Sequence, residues 1–296
     1  MPAVEEITLC CSRLTLTVVP AAGGSVSSFL FDELPLFRTC TPTARRGYEP
    51  LALAGFPLVP FASRMQGNGF EWQGKRVTLA PNMPGEPVAI HGHGWRRAWD
   101  VASITEQSCR LKCDHPAGGS AEDAGNGWPW HYRAEQIFEL TESALRLTLA
   151  LTNLSDSDMP GGLGWHPYIY RDDARLTVQT EGRIRGAGDP TGERRIPHGG
   201  FTSAAVEDLD VDHGFYGWNG TAEISWPARS VGLTLSAAPA LNFLVVYTPP
   251  GQNYFCVEPV SHLPDAANWQ DDQPNGWHAI KPGEALRATI EMRVRG

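Results

Sequence analysis

Four short stretches of the sequence set isolated polar side chains among apolar or aromatic neighbours. They are PFASRM at 60–65, continued by GNGF at 67–70; IHGHGW at 90–95; GWHPY at 164–168; and FCVEP at 255–259, followed by LPDA at 263–266. A fifth and weaker one is VDHGF at 211–215. Together they supply the carboxylates Glu258 and Asp212, the imidazoles His91 and His166, and the guanidinium of Arg64. A carboxyl group and an imidazole, with ordinary pKa values of about 4.3 and 6.5, become a base and an acid near neutral pH after modest tuning. Arginine and aspartate hold polar oxygens through charge-assisted hydrogen bonds. Each residue also has a structural reading. Arg64 reads as a strand-end surface charge, His91 as solvated in a glycine-rich turn, His166 as a strand end, and Asp212 as bonded within its own turn. Glu258 stands apart. It follows Phe255, Cys256 and Val257 and precedes a proline, which places a carboxyl group in buried sequence, where such groups are seldom unpaired.

Taken in order, the motifs resemble those of the aldose 1-epimerases, the galactose mutarotase family. The resemblance rests on Arg64 in PFASRMQGNGF, His91 in IHGHGW with Trp99 following, His166 in GWHPY, Asp212 in DHGF and Glu258 in CVEPVSHLPDA. It runs from about residue 15 to the C-terminus, and its most specific parts are the Glu258 motif with its downstream PDA-x-N and the spaced histidine pair. It implies an all-β fold, a large antiparallel β-sandwich (supersandwich) with an open sugar-binding cleft. It also implies roles: Glu258 as general base, His166 as general acid, His91 as a second histidine at the sugar ring, and Arg64 and Asp212 as sugar-binding positions. Ser63 joins the sugar-binding set at a position where many relatives have asparagine. A further polar contact falls on Tyr247 or Thr248.

Anomer exchange needs such a set. A base takes the C1 hydroxyl proton while an acid protonates the ring oxygen; the open aldehyde turns about C1–C2 and closes on its other face. No cofactor or metal is required. Trp95 and Trp165 lie within the motifs and offer flat faces to sugar C–H groups. Two other readings stay open: a mutarotase for hexose 6-phosphates, with Arg96-Arg97 as the phosphate contact, and a non-catalytic carbohydrate-binding protein. A glycosidase would need two carboxylates, and one strong carboxylate motif is present. A polysaccharide lyase on the same general sandwich is more distant still.

The elements that must position these residues are strands. From 286 to 295, Leu286, Ala288, Ile290, Met292 and Val294 alternate with charged or polar residues, and four leucines alternate from 145 to 151. This period of two names half-buried strands. Similar stretches cover 14–19, 26–31, 101–111, 133–140, 175–180, 222–226 and 233–236, while the continuous apolar run 243–246 predicts a strand covered on both faces. No three-turn amphipathic helix is evident. The 31 glycines and 24 prolines punctuate the strands at short intervals. Polar loops are expected at 114–130 and 186–200, and the whole of 1–296 reads as one domain.

Composition bounds the partners. A net charge of −9 disfavours nucleic acid and acidic membranes and leaves a small neutral sugar as the expected ligand. No run of about 18 apolar residues marks a membrane-spanning helix. The start lacks a signal-peptide pattern, and six cysteines without a disulfide framework point to reduced thiols in a cytoplasm. No metal site is expected, since neither Cys10-Cys11 nor the Cys109/Cys113 pair has a partner pair at ligand spacing. The expected assembly is a monomer or a homodimer.

Overall fold

The computed structural model describes residues 6–41, 43–44, 49–118, 127–184, 195–269 and 274–296. Two large antiparallel sheets dominate, one of eleven strands and one of nine, with three two-stranded ribbons beside them. The nine-stranded sheet is built around the two most strongly alternating stretches, Ala144–Asn153 and Ala285–Arg295, which pair in register with Leu147 opposite Ile290 and Leu145 opposite Met292. Their polar residues face outward, where Arg146 meets Glu291 at 3.2 Å.

The eleven-stranded sheet carries the chemistry. Its centre runs Gly55–Leu58, Gly164–Tyr170, Tyr254–Val260, Phe243–Tyr247 and Asp212–Tyr216, all antiparallel neighbours. Both faces are apolar, which is why 243–246 reads as an unbroken apolar run. Trp165, Ile169, Leu244, Val246, Phe255 and Val257 face the main core shared with the other sheet. Their alternates Tyr168, Phe243, Val245, Cys256 and Val260 form a second apolar cluster on the opposite face with Phe56 and Trp95. Glu258 and His166, two residues from Cys256 and Tyr168, share that second face by the same period.

The stretch 101–111 is not one strand. It is a hairpin of Asp100–Ile104 and Ser108–His115, because the Thr105 hydroxyl accepts from the backbone N–H groups of Gln107 at 3.3 Å and Ser108 at 3.0 Å. Such a local side-chain bond turns the chain where hydropathy alone sees continuity. Among the described residues the chain makes three-residue 3-10 turns such as Gly94–Arg96 and Ala266–Asn268. The loops expected at 114–130 and 186–200 fall partly outside the described residues, at 119–126 and 186–194.

Candidate functional site

Strand register lays the candidate residues out in two rows across one face of the sheet. In the first, Phe56 pairs with His166, and His166 falls opposite Glu258, between the pairs Gly164–Val260 and Tyr168–Cys256. Glu258 in turn pairs with Val245, and Val245 with Gly214. In the second row, Tyr168, Cys256, Tyr247 and Asp212 are successive partners. Rows two residues apart on one face bring all these side chains into one patch. A Cβ on Gly214 would come within 2.5 Å of Pro264, so the glycine of the DHGF motif lets the 263–266 segment lie over the end of the first row.

Glu258 and His166 are the centre. His166 Nε2 stands 3.3 Å from Glu258 Oε1, and both residues are buried. Phe56 stacks on the imidazole at 4.6 Å and 23°, with Tyr168 also 4.6 Å away. In this apolar setting, burial pushes the Glu258 carboxyl well above the usual range; nearby Asp212 adds to the effect and Arg64 opposes it. Burial, reinforced by the Arg38 cation, pushes His166 down to about 3. A carboxylate neighbour by itself favours imidazolium. Here desolvation outweighs that attraction, and burial favours the uncharged form of each group.

His91 is held by its backbone. It accepts a hydrogen bond at Nδ1 from the Ser63 N–H (3.1 Å), and its own N–H donates to the Ser63 carbonyl (3.0 Å). Nδ1 is therefore the acceptor and Nε2 carries the hydrogen; the His166 ring lies 5.3 Å away, edge to face. What the structure gives Ser63 is this backbone role. Asn82 fixes the turn that follows, donating to the carbonyls of Ile90 (2.8 Å) and Gly92 (2.7 Å) and accepting from the Ile90 N–H (2.8 Å). Gly92 is required there: its φ is +67°, and a Cβ would lie 2.2 Å from the Val59 carbonyl oxygen.

Arg64 is clamped by a residue outside every motif. It donates twice to Glu86, at 2.9 and 2.7 Å, and its third nitrogen reaches Asp212 at 3.6 Å. Half-exposed Arg64 and exposed Asp212 form the rim above the buried pair. The PDA-x-N segment is structural. Asp265 accepts from the Gln66 N–H (3.0 Å) and from Asn268 (2.7 Å), and Asn268 donates to the carbonyls of Gln66 and Gly69. His262 accepts from the Ala62 N–H at 3.0 Å. Together these bonds lash the Arg64 loop to the end of the Glu258 strand.

Of the two further candidates, Tyr247 lies in the second row beside Asp212, whereas Thr248 spends its hydroxyl on the Val211 N–H at 2.8 Å. Trp165 is not available to a ligand, because it is buried on the core face against Phe37 at 5.6 Å. Trp95 packs its ring on Phe56 at 5.7 Å and lines a cavity of about 480 Å³ together with Leu51, Asn82 and Arg96. The Arg96-Arg97 pair diverges: Arg96 borders that cavity, while Arg97 lies near Cys113.

Sequence reasoning missed Arg38. Its N–H bonds to the Tyr168 carbonyl at 2.8 Å, which adds it to the end of the second row. Its guanidinium lies over the Tyr168 ring at 3.5 Å and donates to the carbonyls of Leu53 (2.7 Å) and Leu51. No local motif marks it, because its neighbours here are brought by sheet pairing. The Cys109 and Cys113 thiols are core residues that burial pushes up to about 12. Among the described residues, Cys256, His166 and Glu258 bring three ligand-type atoms within 4.8 Å of one another, a grouping that sequence spacing did not reveal.

Comparison with known proteins adds four findings. The aldose 1-epimerase family profile matches residues 5–293. The chain is 32% identical over 292 residues to the uncharacterized protein YphB of Escherichia coli (strain K12), covering 92% of this chain and 93% of that one. Among solved structures, an Escherichia coli K12 protein provisionally described as an aldose 1-epimerase superposes with a TM-score of 0.80 at 30% identity over 98% of both chains. A galactose mutarotase-like protein from Clostridium acetobutylicum gives a TM-score of 0.85 at 17% identity, over 99% of this chain and 97% of that one, a likeness of fold.

Proposed function

Since the chain belongs to the aldose 1-epimerase family, we propose that it interconverts the α and β anomers of a free aldose by acid–base ring opening, with Glu258 and His166 as the proton-transferring pair. The observation that carries this reading is the 3.3 Å Glu258–His166 contact in a buried apolar row, with Arg64, Asp212 and His91 at its edge. A carbohydrate-binding protein has no use for a matched acid and base in contact.

The pair carries one titratable proton, and its position follows the reaction. When a cyclic sugar binds, its hydroxyls replace part of the lost solvation, and the proton passes from Glu258 to His166 across the short contact. The carboxylate then takes the C1 hydroxyl proton, and the imidazolium gives its proton to the ring oxygen. The C1–O5 bond breaks, the aldehyde forms, and the pair returns to carboxylic acid plus neutral imidazole. That is the arrangement burial favours, so the open-chain complex is where the site is electrostatically most at ease. After rotation about C1–C2, Glu258 returns a proton to the carbonyl oxygen and His166 takes one from the C5 hydroxyl, closing the ring on the other face. Positioned groups of this kind contribute about 10²–10⁴-fold each. His91 offers its Nε2–H to a ring-opened oxygen. Arg64 and Asp212 orient the sugar hydroxyls, Ser63 sets His91, and Tyr247 adds a phenol at the second row.

The test is anomer exchange followed by polarimetry on freshly dissolved α-glucose, α-galactose and α-arabinose beside glucose and galactose 6-phosphates. The reading expects enzyme-dependent mutarotation with kcat/KM for a free sugar at least about tenfold above its phosphate, a difference of roughly 1.4 kcal/mol. Exchange no faster than buffer with every sugar overturns the activity. A tenfold preference for the phosphate, lost in Arg96→Ala, overturns the substrate class.

A further inference from the structure

Cys256 takes no part in the proposed reaction, yet it sits on the floor of the same site. It lies two residues from Glu258 on the same face, in register with Tyr168, and its sulfur belongs to the group of three ligand-type atoms within 4.8 Å of one another. All three residues are buried. We propose that Cys256, His166 and Glu258 form a binding site for a soft divalent cation of the zinc or cadmium class, which occupies the proton-transferring pair and blocks it.

The donor set selects the ion. A thiolate, an imidazole nitrogen and a carboxylate oxygen suit zinc-like metals, whereas magnesium and calcium require mainly oxygen ligands, of which this cluster offers a single carboxylate. The geometry is near what such an ion needs. Tetrahedral bonds of about 2.0–2.1 Å to nitrogen and oxygen put those two atoms about 3.3–3.4 Å apart, and His166 Nε2 and Glu258 Oε1 already stand 3.3 Å apart. The sulfur lies within 4.8 Å of both of these atoms, against the separation of about 3.5 Å that tetrahedral bonds of about 2.3 Å to sulfur require.

Charge favours the complex as well. A divalent ion with one thiolate, one carboxylate and one neutral imidazole is electrically neutral, the one net charge that this apolar pocket accepts cheaply. Binding balances as the ion plus a thiol and a carboxylic acid, giving the complex and two protons released to solvent, so occupancy rises with pH. The bound ion would cap the Nε2 lone pair and one carboxylate oxygen, the two atoms through which protons move. That inhibitory consequence rests on the acid–base reading; metal binding itself does not.

Anaerobic titration of the apo-protein with cobalt(II), read by the thiolate-to-cobalt charge-transfer band, tests binding without substrate. Wild type and Cys10→Ser should give the band at one ion per chain, and Cys256→Ser should lose it. Glu258→Gln, which keeps the thiol, should weaken cobalt binding at least about tenfold. In parallel, zinc should inhibit wild-type mutarotation, and Cys256→Ser should keep metal-free activity within a few fold while needing at least about tenfold more zinc. Cys256→Ala serves if the serine variant misfolds by circular dichroism. A wild type without a stoichiometric band, or a band unchanged in both Cys256 variants, overturns the site.

Discussion

Replacing Glu258 by glutamine separates what the carboxyl group does for chemistry from what it does for folding. The substitution keeps the shape, leaves an amide beside His166 Nε2, and removes the only group in that row able to give and take a proton on oxygen. Loss of one acid–base partner predicts a fall in kcat of about 10²–10⁴-fold, equivalent to about 3–5 kcal/mol of barrier. Stability should move the other way. Burial, with Asp212 adding to it and Arg64 opposing it, raises the Glu258 pKa well above its ordinary 4.5. Between that ordinary value and the raised one, the unfolded chain has released the proton that the native protein still holds. The native state binds more protons in this window, so wild-type stability falls as pH rises through it. Glutamine cannot ionise and escapes that loss. The variant should therefore match or exceed wild type in urea unfolding at pH 7, with the difference shrinking as pH drops to 4.5. Polarimetry and urea melts at pH 4.5, 6 and 7.5 read both effects. Near-wild-type mutarotation refutes the chemistry, and a variant losing more than about 2 kcal/mol at pH 7.5 refutes the electrostatics.

Further outcomes follow from the same geometry. The acid limb of kcat/KM should lie near pH 3, where His166 takes its second-state proton. Arg38→Met should move that limb upward, because the Arg38 cation is the second cause of the depression after burial; an unmoved limb would remove Arg38 from the electrostatics. Arg64→Ala should raise KM and lower kcat together. It should also cost about 1–3 kcal/mol in stability, because Glu86 loses both of its hydrogen bonds from Arg64; steady-state kinetics and urea melts check this. Exhaustive chelation should leave turnover intact, and should raise it in preparations carrying zinc; activity lost in EDTA and restored by a divalent ion would show a catalytic metal instead. His262, neutral in the fold with its pKa lowered to about 4, should withdraw roughly 3 kcal/mol as pH falls from 6.5 to 4. The pH dependence of unfolding should accordingly shrink by that amount in His262→Gln.

How much of this was legible in the chain depended on where the signal lived. Alternation at 145–151 and 286–295 announced the paired strands of the nine-stranded sheet, because one of their faces meets water. The residues around Glu258 could be read as buried for the converse reason: three apolar neighbours leave a carboxyl group little access to water. What escaped was carried by pairing between distant strands or by side chains acting at a distance in sequence. Glu86 lies 22 residues from the Arg64 it grips, and Arg38 reaches the site because Phe37 bridges Ile169. Neither has local company of a telling kind. Trp165 shows the opposite error. It stands next to His166 in sequence, and in a strand that adjacency places it on the other face.

The central strands of the eleven-stranded sheet interleave two kinds of position along one backbone, with Phe255 and Val257 turned one way and Cys256 and Glu258 the other. A saturation scan of 254–260 would therefore show two phenotypes in strict alternation. Changes at 255 and 257 should deplete the folded protein most, while changes at the other parity should show up first in ligand handling, and at Glu258 in turnover itself. Inherited variation faces the same partition, so ligand preference can drift at the second parity without the first being disturbed. A library confined to 168, 245 and 247 would search new ligand contacts while leaving untouched His166, Glu258 and the side chains that bind the two sheets together.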